Sequence, residues 1–130
     1  TTLFRSYWNR YPGARFDSES YSYGFSFSQE LLDEWDWTEH FSPQPETERY
    51  LNYVADKFGL RRNIRLSAKV TAAHYLDETR SWKVTLESGE SFTSRLLITA
   101  VGPLSAPTFP KVEGRESFRG EAYHTGLWPR

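Results

Sequence analysis

The sequence predicts an α/β chain with an unfinished core, and three patterns predict it. An apolar stripe of helical spacing near residues 45–58 asks for a helix, and period-two alternation between residues 64 and 92 asks for antiparallel strands. The unbroken apolar run Leu96-Leu97-Ile98-Thr99-Ala100-Val101 asks for a strand buried on both faces, as in a parallel sheet. Val, Ile, Leu and Phe make up 28 of the 130 residues, about 22%. That is close to the ~20% level below which chains tend towards disorder. The chain is therefore expected to share its core with residues outside it.

Residues 1–28 read as an aromatic loop, with Tyr7, Trp8, Tyr11, Phe16, Tyr21, Tyr23, Phe25 and Phe27 set among Pro12-Gly13 and several serines. If residues 20–27 are extended, the rings at 21, 23, 25 and 27 share one face. A short helix is expected over 29–37, and Ser42-Pro43 interrupts the chain after it. The longer helix runs from Pro45 to about Phe58. Proline suits its first turn, Glu46 and Glu48 sit near its positive end, and Tyr50, Leu51, Val54, Ala55 and Phe58 form the stripe. Gly59 is the expected stop.

Beyond it, Ile64 and Leu66 alternate with Arg65 and Ser67, Val70 and Ala72 open a second extended run, and Trp82, Val84 and Leu86 alternate with polar residues. Ser88-Gly89 signals a hairpin with Phe92 on the return strand. The whole predicts a small antiparallel meander, wet on one face. The apolar run 96–101 ends at Gly102-Pro103, and a Pro-punctuated connector follows. A strand buried on both faces needs parallel partners, and the sequence offers no second candidate.

Composition narrows the function classes. Sixteen basic residues against 17 acidic ones give a net charge of −1, which calls for neither nucleic acid nor an acidic membrane. Arg61, Arg62 and Arg65 form the one basic cluster and read as a solvated helix end. With no Cys, there is neither a disulfide framework nor a thiolate metal site. His40, His74 and His124 lack the spacing of a helical metal site, so no metal is expected. No apolar run approaches the roughly 18 residues of a membrane span, and no signal-peptide pattern opens the chain. A cytoplasmic location is expected by default. No Gly-x-Ser-x-Gly elbow, Walker loop or Gly-x-Gly-x-x-Gly motif occurs.

Two segments carry the reading further. Phe118-Arg-Gly120-Glu-Ala-Tyr-His124-Thr-Gly-Leu-Trp128-Pro129 matches F-x-G-x-x-x-H-x-x-x-W-P at every fixed position. It resembles the fingerprint of the Baeyer–Villiger monooxygenases. The related N- and S-oxidising flavin monooxygenases have a similar pattern, usually without the Trp. The stretch Tyr7-Trp8-Asn9-Arg10-Tyr11-Pro12-Gly13-Ala14-Arg15, followed by Asp17, resembles the part of this family that passes the flavin ring. Similarity continues through Ser26-Phe27-Ser28, Gln44-Pro45-Glu46, Tyr53-Val54-Ala55-Asp56-Lys57-Phe58 and Gly102-Pro103-Leu104-Ser105, close to the phenylacetone monooxygenase branch.

The resemblance implies an internal fragment, with an incomplete FAD-binding Rossmann-like domain over 1–110 and a linker over 111–130 leading to an NADPH domain. It places one Gly-rich phosphate loop before Thr1 and the other beyond Arg130. It implies FAD and NADPH as cofactors, O2 and a ketone as reactants, and insertion of oxygen through a flavin peroxide to give an ester or lactone. The fragment alone is expected to be inactive. Trp8, Asn9, Arg15, Asp17, Tyr23 and Val70 are implied in cofactor binding, with Asp17 positioning a catalytic Arg that lies outside the chain. His124 is implied in coupling the two nucleotide domains, with Phe118, Gly120, Trp128 and Pro129 as the rest of its motif. The chain departs from the family at Leu3-Phe4-Arg5-Ser6, where Gly-Gly-Thr-Trp is usual, at Phe16, often Cys, and at Ser18, usually a branched aliphatic residue. Three alternatives stand beside this reading: a piece of a heteroatom-oxidising flavin monooxygenase, a non-catalytic remnant, and a binding module that stacks ligands on rings such as Trp8, Tyr11 and Trp37.

Overall fold

The computed structural model describes residues 9–15, 17–102 and 106–129. The expectations on Tyr7, Trp8, Phe16, Pro103-Leu104-Ser105 and residues 3–6 lie outside these. The chain divides into two compact units, one of residues 1–58 with 101–130 and one of residues 59–100.

The first unit is built on two helices, α1 (Gln29–Glu34) and α2 (Gln44–Lys57). The Ser28 hydroxyl caps α1 by accepting from the Leu31 amide at 3.2 Å. Helix α2 follows Pro43 as its N-cap, holds Pro45 inside its first turn, and runs close to the predicted span. It ends before Gly59, whose φ of +59° is the left-handed stop that a side chain would strain. Its stripe buries Tyr50, Leu51 and Val54 with Leu31 of α1, which is fully buried.

The core is closed by rings rather than aliphatics. Trp35 and Trp37 lie 5.1 and 4.9 Å from the Tyr50 ring, and Phe25 stacks on it at 5.8 Å. The Tyr50 hydroxyl accepts from the Phe25 amide at 2.8 Å, so one residue supplies both packing and a backbone partner. This explains why α1 stops at Glu34, short of the predicted Trp37. Two positions apart on a helix point roughly 200° away from each other. Trp35 adopts an extended backbone instead, and both indoles reach Tyr50. Lys57 then ties the helices together by pairing with Glu30 at 2.9 Å and Glu34 at 2.6 Å. Hydrogen bonding to Glu34, then to Glu30, holds the Lys57 ammonium well above its ordinary value.

Residues 20–27 correct the extended-ladder expectation. Ser20–Tyr23 is a 3₁₀ turn. Only Phe25 and Phe27 share a face, with centroids 5.7 Å apart, while Tyr21 is 69% exposed. The turn forms because the Ser20 side chain is drawn inward, where its hydroxyl meets the Glu39 carbonyl and the Ser42 hydroxyl.

The second unit is the predicted meander, β1 (Val70–Leu76), β2 (Ser81–Leu86) and β3 (Ser91–Ser94), antiparallel in the order 1-2-3. Tyr75 faces Trp82 across β1 and β2, with ring centroids 5.3 Å apart. Val84 faces Phe92 across β2 and β3. The guanidinium of Arg65 lies 5.0 Å over the Phe92 ring and pairs with Glu90 through both nitrogens. The sheet is wetter than predicted, since Leu86 is the one buried apolar residue of this unit among those described. The expected strand at Ile64–Leu66 is absent. Residues 60–63 are a 3₁₀ turn, and Ser67 at φ +52° breaks any extended path.

The apolar run 96–101 forms no strand either. Leu96, Ile98 and Val101 are 78%, 86% and 63% exposed. Among the described residues the one sheet is the meander, so the run has no parallel partner to pair with. No helix among the described residues is long and apolar enough to cross a membrane.

Candidate functional site

The sequence-predicted residues fall into three places. Arg15, Asp17 and Tyr23 lie in the first unit, where the Tyr23 hydroxyl donates to Asp17 Oδ1 at 3.3 Å and the Arg15 guanidinium turns to Glu39 and Phe41. Asn9 is half-buried at the start of the same segment, and Trp8 lies outside the described residues. Val70 opens β1 in the second unit, 53% exposed. The fingerprint residues 118–129 form a local knot at the chain's other end.

The Arg15–Tyr23 segment is held by a second one, residues 37–44. Arg15 pairs with Pro43 in an isolated antiparallel bridge, and the Gln44 amide donates to the Ala14 carbonyl at 2.9 Å. The Arg15 guanidinium bonds to Glu39 and to the Phe41 carbonyl, the latter at 3.0 Å. The Ser20 amide donates to the His40 carbonyl at 2.8 Å, and the Ser42 amide to the Ser20 hydroxyl at 2.8 Å. Ser20 and Ser42 are both almost wholly buried and hydroxyl-paired at 2.7 Å. A buried polar group is tolerated when its partners are in place, so each of these bonds is strict about position. The exposed Asp17 carboxylate thus stands on a backbone fixed on both sides.

Behind this segment sits Glu46, 1% exposed. It takes the Thr38 amide at 2.9 Å and the Thr38 hydroxyl at 2.8 Å. Burial pushes its carboxyl up, but the two Thr38 bonds, a bond from Ser42 and the charge of Arg49 outweigh burial and hold it below the ordinary carboxylate value. A depressed carboxyl stabilises the fold fully above its unfolded value of about 4.3 and loses that contribution as pH falls through the folded value. Glu46→Gln is therefore expected to flatten the acid limb of the chain's stability-against-pH curve below about pH 4.3, read by fluorescence-detected melting. Unchanged acid limbs in wild type and variant would contradict it.

The fingerprint knot is ordered by close packing. The Phe118 ring covers Gly120 so closely that an added Cβ would sit 2.4 Å from it, which explains the F-x-G spacing. His124 caps the short turn Thr125–Leu127, its Nδ1 accepting from the Gly126 amide at 3.0 Å. That bond requires the lone pair on Nδ1 and leaves the ring proton on Nε2. Phe109 meets the His124 ring edge-on at 5.0 Å, with Arg115 4.3 Å over Phe109, and Tyr123 lies 5.4 Å from Trp128. Pro129 is exposed. Among the described residues 106–129, the hydrogen bonds and ring contacts join residues of this same stretch.

Glu46, Thr38, Glu39, Ser20 and Ser42 were missed by sequence reasoning as site residues. Glu46 alone left a signal, a carboxylate in the first turn of a helix. Trp37, a candidate stacking platform, is part of the aromatic core.

No protein-family model matches the chain. It is 48% identical over 123 residues to the 2-oxo-Δ3-4,5,5-trimethylcyclopentenylacetyl-CoA monooxygenase of Pseudomonas putida, and 46% identical over 123 residues to a Baeyer–Villiger monooxygenase of Pseudooceanicola batsensis. A phenazine N-monooxygenase of Lysobacter antibioticus is 43% identical over the same length. Each match covers 95% of this chain and 23% of the relative. The structure superposes on a crystal structure of OTEMO in complex with FAD and NADP with a TM-score of 0.84 and 48% identity, over 95% of this chain and 23% of that one. Along nearly its whole length, then, this chain is a homologue of part of the Baeyer–Villiger monooxygenases, and it spans about a quarter of the length of the relatives it matches.

Proposed function

We propose that the chain is part of an FAD- and NADPH-dependent monooxygenase that inserts one oxygen atom of O2 beside a ketone carbonyl, giving an ester or lactone. The observation that carries this reading is 46–48% identity over 95% of the chain to enzymes of Baeyer–Villiger type. On this reading residues 1–110 are part of the FAD-binding domain and 111–130 the linker towards the NADPH domain. The run Leu96–Val101 is there a parallel core strand of a Rossmann-like sheet, which accounts for its apolar, solvent-facing side chains here.

The residues fit such cofactors. Arg15, Asp17 and the Tyr23 hydroxyl offer a cation, an anion and a phenol on one fixed segment. Val70 opens β1, an edge strand of the meander, beside an irregularity in its register with β2. We assign Asn9, Arg15, Asp17 and Tyr23 to the flavin and nicotinamide, the Val70 backbone to the adenine, and Trp8 to the flavin segment. When bound, the reduced flavin supplies the oxygen-activating chemistry. Asp17 holds, by two-point hydrogen bonding, the guanidinium of an arginine contributed from outside residues 1–130. That arginine steadies negative charge during oxygen transfer. His124, with Phe118, Gly120, Trp128 and Pro129, keeps the linker in one shape so that the two nucleotide domains move together. His124→Ala is expected to slow turnover severalfold with FAD content unchanged; full turnover would count against the role.

The test is a chimera in which this chain replaces the matching 123 residues of the Pseudomonas putida relative. The chimera is expected to convert a ketone to its ester or lactone with NADPH and O2, while the 130-residue chain alone consumes no NADPH. A chimera that binds FAD and forms no oxygenated product would sink the reading. Nitrogen oxidation is the second reading, favoured by the identity to the phenazine N-monooxygenase. The Trp128-Pro129 ending of the fingerprint favours ketones, and the same chimera offered a heteroaromatic amine separates the two by its product.

A further inference from the structure

We propose that Glu46 is a positioning residue for Arg15 and Asp17, acting through the loop of residues 37–42. The inference rests on the reading above for its link to the cofactors, and on geometry alone for the coupling itself. Glu46 lies on α2 and touches neither Arg15 nor Asp17 in any hydrogen bond described. Its two oxygens instead hold both donors of Thr38, the backbone amide and the hydroxyl. Losing these donors would leave the buried carboxylate short of two partners, at a cost in desolvation, so the Thr38 bonds tie the loop to α2.

One residue beyond Thr38, the loop turns outward to serve Arg15. Glu39 pairs with the guanidinium, the Glu39 carbonyl receives the Ser20 hydroxyl at 2.8 Å, and the Phe41 carbonyl receives Arg15 Nη1 at 3.0 Å. Ser42 closes the loop on Ser20. Asp17 lies between these two anchor points, Arg15 and Ser20, and its backbone follows theirs. Beside the direct Arg15–Pro43 bridge and the Gln44–Ala14 bond, which fix the Arg15 backbone, one path of dependence thus runs from α2 through Glu46, Thr38 and Glu39 to Ser42, and so to the Arg15 guanidinium and Ser20. Arg15 and Glu39 are each about half exposed, so their ion pair alone is weak. The part-buried Glu46–Thr38 contact gives that pair a fixed place. Displacing a cofactor-facing group by about 1 Å can cost a hundredfold in rate, which makes a remote buried anchor consequential.

Two measurements test it. In the 130-residue chain, NMR would read solvent exchange of the Arg15 Nη protons, assigned against Arg15→Lys. Glu46→Ala is expected to speed that exchange at least tenfold, with Glu46→Gln restoring most of the protection because its Oε1 still accepts the Thr38 amide. Should Glu46→Ala unfold, Thr38→Val removes one donor only and is expected to speed exchange severalfold. Exchange unchanged in a folded Glu46→Ala or Thr38→Val chain would overturn the inference whatever the chain's function. In the chimera, Glu46→Ala is expected to slow flavin reduction by NADPH about tenfold at unchanged FAD content, rescued by Glu46→Gln. A reduction rate within twofold of the unsubstituted chimera would also overturn it, whereas an unsubstituted chimera that cannot reduce flavin at all condemns the functional reading and leaves the NMR result to decide the coupling.

Discussion

Replacing Asp17 by Ala in the chimera is expected to lower the rate of flavin reduction or of product formation about a hundredfold, the size of effect that loss of orientation at a reacting centre produces. The carboxylate is exposed, and the one hydrogen bond described for it comes from Tyr23 at 3.3 Å, which is long and weak. It contributes little to the fold, so the loss should appear in kinetics and not in melting. Asp17→Asn separates charge from shape: it keeps the size and one acceptor but cannot hold a guanidinium by two-point bonding to a carboxylate. It should recover less than a tenth of the lost rate. A fully active Asp17→Ala chimera would remove Asp17 from the site.

Tyr50→Ala is expected to be the most damaging substitution for the first unit, costing about 3–5 kcal/mol, the range for emptying an aromatic site in a core. Tyr50 is 2% exposed and touches Phe25, Trp35 and Trp37, and its hydroxyl is the partner of the Phe25 amide. Tyr50→Phe isolates the polar part: it keeps the ring and leaves the Phe25 amide without its acceptor, at a cost of about 1–3 kcal/mol. Chemical denaturation followed by tryptophan fluorescence measures both, since Trp35 and Trp37 border the site. A Tyr50→Ala chain as stable as wild type would mean that the ring cluster does not hold this unit together.

These two residues show what the sequence made legible and what it did not. Helix α2 was readable because its signals are local: Pro45 in the first turn, the stripe through Tyr50 and Val54, and Gly59 at the stop. The meander was readable for the same reason, from Trp82, Val84 and Leu86 and the Ser88-Gly89 turn. Ser20 was not, because its buried hydroxyl answers to Glu39 and Ser42, some twenty residues away, and that pull converts an alternating segment into a 3₁₀ turn. The early end of α1 has a similar origin, since Trp35 and Trp37 leave helical geometry to reach Tyr50. The run 96–101 has the composition of a core strand and lacks a partner among the described residues, so composition and observed structure diverge there. Of the proposed site, Arg15, Asp17 and Tyr23 rest on the resemblance, and the structure adds the Tyr23–Asp17 contact, whereas the Glu46–Thr38 anchor is visible only in three dimensions.

The decisive experiment is a crystal structure of the chimera with FAD and NADP bound. Arg15 and Asp17 are expected against the nicotinamide and flavin, with Tyr23 beside them and the Val70 backbone at the adenine. A structure with both cofactors in place and the Arg15–Tyr23 segment turned away to solvent would contradict that placement.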